Sequence, residues 1–314
     1  MTEQHGHIPE VEDRENQPAE ELSFVDRHAI HPLLFALTSL FFVFLLYQLG
    51  GGVLTFLVAG ATSVTRDNVS VMRWMTVAGQ IGFIFIPTIL LARLFAVHLH
   101  EVFQFRIPGL RESTFALFAL FSLQRVLESY MYFQERIPIP ELLRNVAEPL
   151  KKLFEELTKI LLRADSPIEL LAVVIVVAVV PSIVEELLFR GLIQKIFERL
   201  MTPLVAAVFA GTVFGLYHLN PFEIVPLISL GVFFGLLRYR SQSLILPMAA
   251  HFFNNFMAVL ASFYGLQDEN LLTATQTDAN ALTMFFELIV FSALFFLVFV
   301  AYLRITHDTA RRIP

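Results

Sequence analysis

The stretch PSIVEELLFRG, Pro181 to Gly191, decides how this chain is read. It closes an apolar run with no charge from Leu170 to Val184, then places Glu185, Glu186 and Arg190 in the same helix without a loop signal. A charged group at membrane depth costs at least about 2.5–3.5 kcal/mol, so it needs a partner or a task. A helix that has simply reached the interface would leave those charges in water, and the rest of the chain has to decide between the two.

Working outward, hydrophobic residues make up 56% of the 314 and charged residues 16%, with 33 phenylalanines and a mean hydropathy of +0.67. A soluble domain of that length could not hide so much apolar surface, which points to lipid as the solvent. About 20 apolar residues cross a bilayer. Spans are expected near 33–59, 74–97, 113–133, 168–190, 203–219, 222–237, 243–264 and 282–303. The fold class is therefore all-α, a polytopic membrane helix bundle of about eight transmembrane helices. The third span is interrupted by Gln124, Arg125 and Glu128, and Gly231 and Gly235 in the sixth allow close packing. Segment 134–165 holds six acidic and six basic residues in an amphipathic pattern, the mark of a surface-lying helix.

The chain divides into an acidic N-terminal tail (1–30), N-terminal helices with the amphipathic segment (31–165), a core (166–265), and a last span with a basic tail (266–314). Seven acids and one base in the first 22 residues, without apolar periodicity, read as disorder. The absence of cysteine excludes disulfides, thiolate metal sites and cysteine nucleophiles. No basic, aromatic-interleaved patch suggests nucleic acid. Short-loop charges such as Lys195, Arg199, Arg238 and Arg240 on one side, against Arg66 and Arg73 on the other, predict that both termini are cytoplasmic. In a bacterium that membrane would be the inner one.

Three observations favour a task for the charges. Of nine histidines only His218 and His251 occupy apolar spans. Glu186 and Arg190 share a helix face at i,i+4, as do Phe214 with His218 and His251 with Asn255, whereas Glu185 lies about 100° from Glu186. A hairpin turning near Thr202-Pro203 puts Glu186 and His218 at one level, sixteen residues from Thr202 on either side. His251 comes out about 8 Å off that level. Pro181 removes the helix hydrogen bond to Val177, a defect tolerated beside a watery cavity. Elsewhere Glu287 is expected to snorkel, Gln48 and Gln80 to bond between helices, and Asn254, turned about 100° from Asn255, to stay out of the chemistry.

A carboxylate, two histidines and a carboxamide on three helices suit activation of water against a carbonyl, with imidazole or amide donors for the oxyanion. Glu185, His218 and His251 could equally hold Zn²⁺. The motifs EELLFR (185–190), FGLYH (214–218) and HFFNN (251–255) occur in order, each on an apolar span.

In these motifs the chain resembles the CAAX protease and bacteriocin-processing membrane family, including the type II CAAX prenyl endopeptidase, over about 168–264. The resemblance implies an intramembrane endopeptidase acting on membrane-associated peptides. It implies that Glu185 and His218 activate the water, that His251 and Asn255 bind the oxyanion, and that Glu186 and Arg190 order the site beside Phe214. A metal-free, glutamate-activated reaction is favoured over a zinc-dependent one. The alternatives are a non-proteolytic binding or bacteriocin-immunity protein of the same fold, and an ion-coupled transporter. The transporter predicts broken helices in pairs or an internal repeat, and the sequence has neither.

Overall fold

The computed structural model describes residues 22–60, 65–265 and 281–306. Most of the acidic tail (1–21), residues 266–280 and the basic end 307–314 lie outside the described residues. In chain order the long helices are α1 (Pro32–Val58), α2 (Val69–Phe95), α3 (Leu110–Gln134), α4 (Glu141–Leu162), α5 (Pro167–Glu198), α6 (Pro203–Tyr217), α7 (Ile224–Ser241), α8 (Ile245–Phe263) and α9 (Ala281–Ile305). All but α4 coincide with the eight expected spans, and α4 is the amphipathic helix. Six of them (α1, α2, α5, α7, α8 and α9) are long and apolar enough to cross a bilayer. The α6 helix is apolar but only 15 residues long, and α3 has the length but carries charges. The chain is an integral, multi-pass membrane protein.

Local chemistry explains how α5 begins. The Ser166 hydroxyl accepts from the Glu169 backbone N–H at 3.2 Å, the Glu169 carboxylate accepts from the Asp165 N–H at 2.8 Å, and Pro167 occupies the first turn. The helix then runs to Glu198, eight residues past the expected end, through π-helical turns at 174–179 and 187–193. The charged motif therefore lies well inside a 32-residue helix. Glu186 and Arg190 are fully buried, and the interfacial reading of that pair fails. Around them Leu188, Phe189, Leu192 and Ile193 pack with Phe35 and Val43 of α1, Phe95 of α2 and Phe214 of α6.

The α6–α7 pair is the closest in the bundle. A side-chain carbon at Gly231 would collide with the Gly211 carbonyl, and one at Gly235 with the Ala207 carbonyl at 2.6 Å. Small residues let the two backbones touch, as in other membrane helix pairs. A second cluster joins α3, α7, α8 and α9 around Leu120, Phe233, Phe234 and Tyr302.

Four expectations are corrected. Glu287 does not snorkel: it pairs with Arg125 of α3, which also meets Glu128. Both partners of the cross-helix pair remain about 30% exposed. Nor is Arg73 a loop charge; it is buried in α2 and donates to the carbonyls of Ile160, Leu161 and Arg163, holding the C-terminal end of α4. Arg238 is likewise buried, and it donates to Gln104 at 3.0 Å. Gln48 is exposed.

Candidate active site

Two adjacent carboxylates on α5 leave the helix in different directions and meet different histidines. Glu186 Oε1 accepts from Arg190 at 2.8 Å and from His251 Nδ1 at 3.0 Å. Arg190 also donates to the Gly231 carbonyl at 2.9 Å and lies over the Phe214 ring, 4.4 Å from its centroid. The i,i+4 pairing of Glu186 with Arg190 is as the sequence spacing predicts. Fully buried charges of this kind survive only because each has a partner.

Glu185 faces His218, with Oε2 and Nε2 3.9 Å apart and the side chains 18% and 31% exposed. That is too long for a direct hydrogen bond, and it leaves both groups free for a third atom. The level-matching of sixteen residues thus brought the right helices together at one depth, and it is Glu185, the neighbour of the residue counted, that faces His218. His218 is also the residue that ends α6, not an interior one, and Leu219 after it adopts the left-handed conformation with φ 52°. The His218 Nδ1 lies 2.8 Å from the Phe214 carbonyl. A carbonyl only accepts, so Nδ1 carries the proton and Nε2 presents its lone pair toward Glu185.

His251 reaches Glu186 despite the 8 Å depth gap counted from the sequence. The imidazole stacks on Phe234 at 5.1 Å and meets the edge of Phe214 at 5.9 Å. One turn further along α8, Asn255 donates from Nδ2 to the Val177 carbonyl at 3.0 Å. That oxygen is the one that the N–H of residue 181 would serve in a regular α-helix, a donor Pro181 lacks.

Glu185, Phe214, His218, His251 and Asn255 all line one cavity of about 340 Å³. It also takes in Thr76 and Gln80 of α2, Leu161 of α4, and Asn254. Asn254 was expected to stand apart; its Nδ2 donates to Asn255 Oδ1 at 3.0 Å, and its Oδ1 accepts from Gln124 of α3 at 3.1 Å. Gln80 is buried, and its Oε1 has no hydrogen-bond partner. Its signal in the sequence was only that of a polar residue within an apolar span. Through Leu230 and Asn254 the cavity adjoins one of about 210 Å³, which shares Met131 and Glu223 with a chamber of about 610 Å³ under α4. The roomiest of these three spaces is therefore a vestibule at the end of the bundle, not lined by Glu185.

The fit to a metal ion is poor. Among the described residues no three His, Asp or Glu side chains converge as a metal site would require. Glu185 and His218 face each other, while His251 gives its Nδ1 to Glu186.

No curated protein and no solved structure matches the chain. Residues 167–257 match the family model described as type II CAAX prenyl endopeptidase Rce1-like. That range spans α5 to the middle of α8 and contains all three motifs, so over its core the chain is similar to the CAAX protease and bacteriocin-processing membrane family.

Proposed function

We propose that the chain is an intramembrane endopeptidase that hydrolyses peptide bonds of membrane-associated substrates with water activated by Glu185 and His218. The observation that carries this reading is the gathering of Glu185, His218, His251 and Asn255, from three helices, round one cavity. A substrate carbonyl lodged there meets a water held between the Glu185 carboxylate and the His218 Nε2. As the water oxygen bonds to the carbonyl carbon, Glu185 takes its proton. The oxyanion is met by the second N–H of Asn255 and by His251. His251 already gives Nδ1–H to Glu186, so donating to the oxyanion requires a proton on Nε2 as well, and Glu186 opposes the resulting positive charge. The amide nitrogen takes the transferred proton as the C–N bond breaks.

Glu186 and Arg190 touch no substrate in this scheme; they hold His251 and the α5–α7 contact. The scheme is metal-free, a choice supported by the donor geometry around Glu185. The vestibule under α4 offers a polar approach for a peptide, while its lipid-soluble part stays in the bilayer. Both termini are placed in the cytoplasm on the strength of charges in the short connections and at the helix ends beside them, such as Arg106, Lys195 and Arg199.

Full-length protein in detergent is to be tested on two quenched fluorescent peptides: one with an S-farnesylated cysteine four residues from its C-terminus, one an unmodified transmembrane segment. Glu185→Ala and His218→Ala are each expected to abolish cleavage. Folded variants cleaving at the wild-type rate would reject the assigned roles, and wild-type protein inert on both peptides would favour a binding or immunity role. Chelation is expected to leave the rate unchanged; stoichiometric zinc whose removal stops cleavage would overturn the metal-free scheme.

A further inference from the structure

We infer that Gln124 of α3 is a positioning residue that, acting through Asn254, holds the Asn255 carboxamide with one N–H turned toward the oxyanion; the inference rests on the hydrolytic reading above. Three carboxamides form a row that ends on the Val177 carbonyl. Gln124 Nε2 donates to Asn254 Oδ1 at 3.1 Å, Asn254 Nδ2 to Asn255 Oδ1 at 3.0 Å, and Asn255 Nδ2 to the Val177 carbonyl at 3.0 Å.

The two ends of a carboxamide are alike in shape, so any one of these groups taken alone could point either way. The Val177 oxygen removes the ambiguity. It accepts only, so Asn255 must turn Nδ2 to it. Asn255 Oδ1 then needs a donor, which fixes Asn254, and Asn254 Oδ1 needs one in turn, which fixes Gln124. Reversing any member would set two acceptors face to face. In the fixed arrangement Asn255 retains one N–H beyond the bond to Val177, in a group that lines the catalytic cavity.

Without the Gln124 donor, Asn254 Oδ1 loses its protein partner beside a cavity, in a side chain that is only half-buried. Nothing then holds the Asn254 carboxamide in the orientation that serves Asn255. Asn255 Oδ1 would lose its partner and the carboxamide its orientation, because this terminal torsion is intrinsically soft. Gln124 lies on a helix outside the family match at 167–257. The charged and polar interruption of α3 therefore has a role in the site, through its first residue.

Gln124→Met keeps the length of the side chain and removes the donor. On the farnesylated peptide, full-length Gln124→Met is expected to show kcat about 10-fold lower, the scale of a displaced catalytic group, with KM within about twofold. In an Asn255→Ala background the same change should cost less than about twofold more, since Gln124 acts only through Asn255. Should Gln124→Met fail to fold, Asn254→Ala breaks the row at its middle and should give the same split. A wild-type kcat in folded Gln124→Met, or losses that multiply in the double variant, would overturn the inference. Glu185→Ala serves as the control: if it still cleaves, or if wild-type protein cleaves neither peptide, the hydrolytic reading fails and this inference with it. If Glu185→Ala is dead and Gln124→Met runs at full speed, only the inference fails.

Discussion

Glu185 and Glu186 are neighbours in sequence with opposite surroundings. Glu186 sits at zero exposure, clamped by Arg190 at 2.8 Å and His251 at 3.0 Å, with an aromatic ring on either side of the cluster. Glu185 opens on a cavity and stands 3.9 Å from His218. The clamped pair is held by direct bonds within the protein, whereas Glu185 and the His218 Nε2 are left facing each other across a gap. A buried, bonded group holds a shape; a partly exposed one with slack geometry is where a reaction can be placed.

That contrast yields graded expectations. The largest is for Glu185→Gln, which keeps the shape and removes the base: cleavage should fall by about 10²–10⁴-fold, the usual worth of a general base, read as single-turnover rate on the farnesylated peptide. Arg190→Met comes next. It leaves Glu186 buried without its cation and should cost about 3–5 kcal/mol of stability, read from denaturant unfolding in detergent. Should Arg190→Met unfold normally and Glu185→Gln collapse, the two glutamates have been assigned the wrong way round.

A smaller loss, about 1–3 kcal/mol as for overpacking, is expected for Gly231→Ala. The added carbon would push α7 from α6 and shift the carbonyl that receives Arg190. Unchanged thermal unfolding would show that the contact relaxes freely. The smallest effect is on the stability of Glu185→Gln, within about 0.5 kcal/mol because the side chain has no clamping partner. A much larger shift in its unfolding midpoint would erase the distinction between the two carboxylates.

Much of the architecture was legible because its causes are local. Long apolar runs announce membrane helices, and the i,i+4 spacing of Glu186 and Arg190 fixes a shared face whatever surrounds it. Pro181 even names the carbonyl it cannot serve, Val177. What stayed hidden depended on how helices rotate against one another. The sequence read Glu287 as snorkelling and Arg73 as a loop charge, because their partners, Arg125 and the end of α4, lie 162 and 87–90 residues away along the chain. Asn254 was set aside on its 100° offset from Asn255, but a flexible side chain on the next face can still reach back when α3 supplies a donor.

The sequence by itself determined that this is a multi-pass helical membrane protein, and it singled out Glu185, Glu186, His218, His251 and Asn255 as the candidates for chemistry. It also determined that Glu186 shares a face with Arg190. Only the tertiary structure decided that His218 faces Glu185 while His251 is held by Glu186, and that three carboxamides line up on the Val177 oxygen. The physical reason is that helical periodicity fixes angles within one helix, whereas relative rotation and depth are set by packing. That packing includes close contact at Gly211 and Gly231, π turns in α5, and buried ion pairs, none of which a single segment specifies.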